Sequence, residues 1–191
     1  MLGSAPYLIH SSNGEGALAG TCKSDSTGKK DAPCTIRALN AIFKKMLSIE
    51  RVKFPIAGLE LLAQEARAEG HFYIDPLFKE DWVRRWFSGP GEGFYVARRQ
   101  DRENEIIAIS GLNKGHSPER PNSGVLSRVY VRPAWRRQGV ARALVDGILS
   151  EAFRYFHQVE LQTQSAYAAR LYESMGFIPV KAPDVTHVLS F

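Results

Sequence analysis

Fourteen consecutive residues, Val129-Tyr130-Val131-Arg132-Pro133-Ala134-Trp135-Arg136-Arg137-Gln138-Gly139-Val140-Ala141-Arg142, hold the types and spacing needed to bind a compact polyanion. An apolar strand runs into a short basic turn and then straight into an amphipathic helix. The first turn of a helix leaves backbone N–H groups without intrachain partners, and its dipole end is positive. Together these make an anion seat. Gly139 removes a side chain where the backbone must approach a ligand, and Ala141 is nearly as small. Arg136 and Arg137 bring charge to the same point, and Gln138 and Val140 complete the turn. A pyrophosphate meets these demands.

The charge distribution agrees with a local site. The 191 residues carry 25 Lys plus Arg and 20 Asp plus Glu, a net +5. Between Arg120 and Val145 stand six arginines (120, 128, 132, 136, 137 and 142) and no acid, so the rest of the chain has a net charge of −1. A protein that coats nucleic acid shows a broader basic face. A concentrated patch suits one compact anion, and arginine suits bidentate phosphate contacts. A solvated helix face is the alternative reading of the same charges.

Cys22 and Cys34 cannot build a disulfide framework and lack the companions of a zinc site, so no metal is expected. No apolar run reaches membrane-spanning length, and the opening residues lack the basic and apolar regions of a secretory signal. A reduced, cytoplasmic setting is the expectation.

The elements that must position the turn follow from periodicity. Residues 1–32, rich in Gly, Ser, Thr and Lys, read as a flexible leader, and residues 33–191 as one domain. A strand is expected at Thr35–Leu39 and a helix over Ala41, Ile42, Lys45, Met46 and Ile49. Gly58–Glu69 reads as a helix closed by Gly70, and Lys79–Phe87 as a short one, with Trp82, Trp86 and Phe87 as core. Residues 88–93 (SGPGEG) form a break and a candidate mobile loop. Phe94–Arg99 and Glu105–Leu112 form a hairpin, 113–123 a loop, and Val125–Val131 a strand stopped by Pro133. A long helix follows over 138–157, its stripe formed by Ala141, Leu144, Val145, Ile148, Leu149, Ala152, Phe153 and Phe156. Gln158–Thr163 is the next strand. Ser165 caps a helix reaching Met175, and Gly176 stops it. Short strands at 177–180 and 185–189 end the chain. Residues 125–163 thus form a β-α-β unit joining parallel strands.

The turn Arg136-x-x-Gly139-x-Ala141 resembles the acyl-CoA signature R/Q-x-x-G-x-G/A of the GNAT acyltransferase superfamily. Ser165-Ala166-Tyr167-Ala168-Ala169-Arg170-Leu171-Tyr172-Glu173-Ser174-Met175-Gly176-Phe177 resembles its second signature, N-x-x-A-x-x-L-Y-x-x-x-G-F. The two stand in the family's order and separation. The likeness covers about 33–191 by element order and 125–178 by motif. It implies an α/β fold (a mixed sheet with a mostly antiparallel N-terminal half), a parallel β-α-β unit that binds coenzyme A, and a splayed centre. It also implies an N-acetyltransferase using acetyl-CoA. The pantetheine arm would pair with backbone groups of Val129 and Val131. The pyrophosphate would meet N–H groups from Arg137 through Ala141, and an N–H near Val131 would polarise the thioester carbonyl. Tyr172 matches the tyrosine that protonates the departing thiolate. Ser165 replaces the family's asparagine, which leaves a CoA contact beside its capping role.

The general base is not legible. The strand 125–131 offers Ser127 and Arg128 rather than a carboxylate. Glu105, as a turn residue, Glu160, exposed opposite Val159 and Leu161, and His116, in a loop, are the candidates beside a water chain. By alternation Tyr130 faces away from Val129 and Val131. The expected partner is an amine acceptor, with neither nucleic acid nor membrane, and the chain a monomer or homodimer. A non-catalytic acyl-CoA-binding module of the same fold and a basic nucleic-acid-binding protein are the competing readings.

Overall fold

In the computed structural model, residues 46–79, 87–100 and 105–191 are described. The expected leader, the strand at Thr35–Leu39, and Trp82 and Trp86 with most of the expected helix 79–87 lie outside them.

Alternating and β-branched residues build one seven-stranded sheet: β1 (Leu47–Val52), β2 (Gly93–Arg99), β3 (Glu105–Lys114), β4 (Ser123–Val131), β5 (Gln158–Leu161), β6 (Ile178–Pro179) and β7 (His187–Ser190). The spatial order is β1-β2-β3-β4-β5-β7-β6. β1 to β4 run antiparallel to their neighbours, β4 and β5 are parallel, and β7 is antiparallel to both β5 and β6. Among the described residues the α-helices are α1 (Leu59–Ala68), α2 (Val140–Ala152) and α3 (Ala166–Glu173). The mixed α/β architecture, with its parallel unit set into an otherwise antiparallel sheet, agrees with the sequence reading.

Several boundaries move by a residue or two, β3 reaching Lys114 and β4 starting at Ser123 where a loop was expected over 113–123, and two move further. Met46 and Ile49 are not helical, because Leu47–Val52 pairs residue for residue with β2, from Leu47 opposite Arg99 to Val52 opposite Phe94. Sheet pairing overrides a weak helical period over so short a stretch. The helix expected over 138–157 spans only Val140–Ala152. Its stripe ends there: Phe153 is 54% exposed, while Phe156 returns to the core through the turn that follows.

Each face of the sheet carries a helix. Tyr95, Ala97, Ile107, Leu112 and Leu126 pack with Val140, Leu144, Val145 and Ile148 of α2. Phe94, Val96, Ile106, Ile109 and Tyr130 pack with Leu59, Leu62, Ala63 and Ala66 of α1. Strand alternation produces this division. Among the described residues, no helix is long and apolar enough to cross a membrane.

α1 is also pinned electrostatically. Arg132, 7% exposed, forks onto Glu65 of α1 with two bonds of 2.8 Å and bonds Glu105 at the start of β3. The expected turn residue Glu105 is therefore an ion-pair partner. Removing one member of such a group leaves the others uncompensated. Arg132→Met is accordingly expected to lower unfolding stability by about 3 kcal/mol, read by urea denaturation; a loss under about 1 kcal/mol would show that the cluster is not anchoring α1.

Candidate active site

The site begins where β4 and β5 part. They pair at only three positions, Ser123 with Gln158, Gly124 with Val159 and Val125 with Glu160. β4 then continues to Val131 with β3 alone. Between the pairs Tyr130–Ile109 and Ser127–Gly111, β4 carries one residue more than β3. This bulge holds Arg128 at φ 54°. Bulges bend a strand and increase its twist, which turns β4 away from β5.

The backbone groups left facing the gap follow from the pairing. Arg132 N–H donates to the Ile107 carbonyl at 2.9 Å. Bonded and non-bonded positions alternate in an antiparallel pair, so Val131, one residue earlier, directs its N–H and C=O away from β3 and into the gap. The side chains of Val129 and Val131 are half-buried against the α2-side core.

The strand leads into a single turn of 3₁₀ helix, Pro133–Trp135, and then into the N-terminus of α2. Arg137 and Gly139 both have positive φ, 63° and 82°. Gly139 is the N-cap, with no side-chain cap, and a Cβ placed there would meet nothing within 4 Å. Among the described residues, no acceptor is bonded to the N–H groups of Arg137 through Ala141. Gln138 closes the turn, donating from Nε2 to the Ala134 carbonyl at 3.1 Å, and Val140 is buried core. An uncapped N-terminus opening onto free space, with small residues at 139 and 141, fits a diphosphate.

The arginine window is less of a patch than its charge count implies. Arg120 bonds Glu160 and Asp184, Arg132 bonds Glu65 and Glu105, and Arg136 bonds Glu69. Arg128 donates to the Tyr73 carbonyl, and Arg142 to Ser174. Acids from other elements answer at least three of the six cations, and the N–H groups rather than side chains dominate the turn.

Across the gap lies a cleft of about 670 Å³, lined by His116 and Pro118 from the loop after β3, Ser127 and Arg128 of β4, Glu160 of β5, and Asp184. Its volume suits a small ligand. Of the three candidate bases, His116 and Glu160 line this cleft and Glu105 does not. Glu160 is not exposed as expected but 3% accessible. Alternation does turn it away from Val159 and Leu161, but that face is covered too. Arg120 Nε sits 2.5 Å from its carboxylate, and Ser123 Oγ donates to it at 3.3 Å. Gly115 closes over both: a Cβ there would lie 2.1 Å from Ser123 Oγ, and its N–H bonds the Ser123 carbonyl at 2.7 Å. Alternation places Tyr130 correctly away from Val129 and Val131; its ring is buried with α1 and its hydroxyl donates to Glu69 at 2.8 Å. The loop 88–93 is tied down by Glu92, which accepts from Gly89 N–H and Lys114 N–H, both at 2.8 Å.

Ser165 caps α3, its hydroxyl accepting from Ala168 N–H at 3.4 Å. Tyr172, on the inner face of α3, is 5% exposed and packs edge-on against Phe177. Burial, with a smaller contribution from the Tyr73 phenol, pushes its hydroxyl up to about 12. Tyr73 packs with the α1-side core and Tyr172 with the α2-side core, so the two influence one another across the sheet. A phenol this reluctant to ionise stays protonated at neutral pH, with its proton in place.

Residues 57–177 match the family model for the acetyltransferase (GNAT) family. The chain belongs to the GNAT acetyltransferase family. Membership makes it an acyltransferase of the acetyl-CoA-dependent kind. Solved structures agree on the fold. A crystal structure of a putative acetyltransferase from Exiguobacterium sp. 255-15 superposes with TM-score 0.66 at 28% identity, covering 75% of this chain and 93% of that one. YncA, a putative acetyltransferase from Salmonella typhimurium solved with its cofactor acetyl-CoA, gives TM-score 0.57 at 16% identity, covering 76% and 94%. Ard1 from Thermoplasma volcanium gives 0.58 at 18%, covering 76% and 97%. No curated protein matches the chain.

Sequence reasoning did not find Glu69 or Asp184 in this GNAT site, and it read Arg120 only as part of the basic window. The lack of any acid among those six arginines, which requires acids from elsewhere to answer them, was the one signal that pointed toward the partners. Because Tyr172 loses its proton less readily folded than unfolded, where a phenol titrates near 10, its burial stabilises the fold fully below pH 10 and that contribution is lost as pH rises toward 12. Ultraviolet difference titration is expected to show a tyrosine ionising near 12 that disappears in Tyr172→Phe; an unchanged titration would place the slow tyrosine elsewhere.

Proposed function

We propose that this GNAT enzyme is an N-acetyltransferase that moves an acetyl group from acetyl-CoA to a primary amine by direct attack within a ternary complex. The observation that carries the reading is the junction of two open backbone surfaces: the unpaired edge of β4 and the acceptor-free N–H groups at the start of α2. In this reading the N–H groups from Arg137 through Ala141, Gln138 and Val140 included, hold the diphosphate, with Arg137 adding charge. The backbone of Val129 and the N–H of Val131 pair with the pantetheine arm as an added strand would, the Val131 carbonyl being held by Arg136. The donor hydrogen of the Ser165 hydroxyl is left for the ligand.

The acceptor enters from the cleft lined by His116, Ser127 and Glu160. Its ammonium gives up a proton to water there, because the Glu160 carboxylate is already engaged by Arg120 and by the Ser123 hydroxyl. The amine nitrogen then bonds to the thioester carbon. A backbone N–H near Val131 receives the charge that develops on the carbonyl oxygen. The nitrogen releases its second proton to solvent as the carbon–sulfur bond breaks, and the thiolate takes the Tyr172 proton, which solvent restores. No cysteine stands near either signature, in keeping with transfer without an acyl-enzyme. The pairing of the arginines with acids argues against nucleic acid as the partner, and the acceptor is taken to be a small-molecule or protein amine bound by a monomer or homodimer.

Acetyl-CoA is expected to raise the melting temperature of the wild type. Arg137→Glu and Gly139→Trp, the latter filling the free space and straining a positive φ, should abolish the rise. Tyr172→Phe should keep it and lower thiol release by about 10²-fold on whichever member of a panel of polyamines, amino acids and peptides is acetylated. Unchanged turnover in Tyr172→Phe removes it from the acid role, and an undiminished rise in Gly139→Trp moves the coenzyme elsewhere.

A further inference from the structure

Arg136 stands at the first position of the phosphate-turn signature, yet its guanidinium is committed in the opposite direction. Nη1 and Nη2 fork onto the two oxygens of Glu69, at 2.7 and 2.6 Å. Nε donates to the Val131 carbonyl at 2.8 Å, one of the groups that faces the gap. The same guanidinium lies 5.4 Å from the centre of the Tyr130 ring, and the Tyr130 hydroxyl bonds Glu69 at 2.8 Å. Glu69 is the C-cap residue of α1, fixed in turn by its N–H to the Ala66 carbonyl at 3.1 Å. Arg136 and Tyr130 together hold the Glu69 carboxyl below the usual carboxylate range against the opposing effect of its burial.

This geometry has a mechanical content. The strand leaves the sheet at Val131 and the turn begins at Arg136, five residues on. One side chain bonds the first point and is anchored to a different helix. A guanidinium performs this because its donors are rigidly forked and reach a carbonyl and a carboxylate at once; an ammonium of the same charge cannot hold both in fixed directions.

We propose that Glu69 and Arg136 are a positioning pair: they fix Val131 and the turn after it in the conformation that receives acetyl-CoA, and the Arg136 guanidinium is not itself a phosphate ligand. This rests on the reading that the turn seats the coenzyme. The C-terminal end of α1, remote in sequence from the signature, thereby sets coenzyme affinity.

The experiment is a double-mutant cycle on the full chain, reading the dissociation constant for acetyl-CoA by calorimetry well below the melting midpoint of each variant. Glu69→Ala and Arg136→Ala are each expected to weaken binding by about tenfold, and the double variant to be no more than about twofold weaker than either. Arg136→Lys, which keeps the charge and loses the fork, should be as weak as Arg136→Ala. Should Glu69→Ala fail to fold, Glu69→Gln takes its place in the cycle. A phosphate-ligand role predicts the opposite pattern: freeing the cation in Glu69→Ala leaves binding unchanged or tighter, and lysine restores it. Either of those results, or additive losses in the double variant, overturns the pair. If the wild type itself does not bind acetyl-CoA, the coenzyme reading falls and the pair with it, whereas wild-type binding with an inert Glu69→Ala removes the pair alone.

Discussion

The parting of β4 from β5 is the constraint on which the site depends. Three residue pairs hold the strands together at one end. One extra residue in β4, with Arg128 in a left-handed conformation, then bends the strand away. A positive φ at a non-glycine residue is costly, and such strain persists only where the surroundings over-determine it. Here the Tyr73 carbonyl and the Ser127 hydroxyl both receive the Arg128 guanidinium. The outcome is a sheet with an internal edge: backbone groups that elsewhere would be paired by a neighbouring strand are open in the middle of the molecule.

An internal edge needs walls, and much of the protein's polar bonding supplies them. Arg132 ties α1 to β3 and β4, Arg136 ties it to the end of β4, and Arg120 links the loop after β3 to β5 and to Asp184. Each pair joins elements far apart in sequence. Arg132 with Glu65 and Arg120 with Glu160 are part-buried, so solvent screens them less than it does the exposed pair of Arg136 with Glu69. The chain therefore spends much of its local arginine excess on architecture. What is left at the phosphate turn is mostly neutral backbone, whose aligned N–H groups bind anions without the desolvation cost of a buried cation.

Legibility in the sequence followed the range of the interactions. The β-α-β unit, the helix start after Gly139, the serine cap at 165 and the stop at Gly176 are set by neighbours in the chain, and all were readable. Tyr130 was placed on the correct face because alternation is a local rule. Glu160 was misjudged because alternation gives only a direction, while its burial comes from Arg120, forty residues earlier. Ile49 was read as helical because the β2 pairing that makes it a strand comes from residues nearly fifty positions later. The turn could be recognised from its own residues, but the partners that orient it, Glu69 above all, could not.

Gly115 and Ser123 form the neck of the loop that walls the cleft. The short backbone bond between them, packed too tightly for any larger residue at 115, seals the stem just where the loop leaves the sheet. The segment between hangs from this clasp and is held further by Arg120, on Glu160 and Asp184, and by the Asn122 carbonyl, which accepts from His157 N–H at 3.0 Å. Exchanges at its other positions transmit little strain to the coenzyme side, so this pinned insert is where a transferase of this shape is retuned to a new amine.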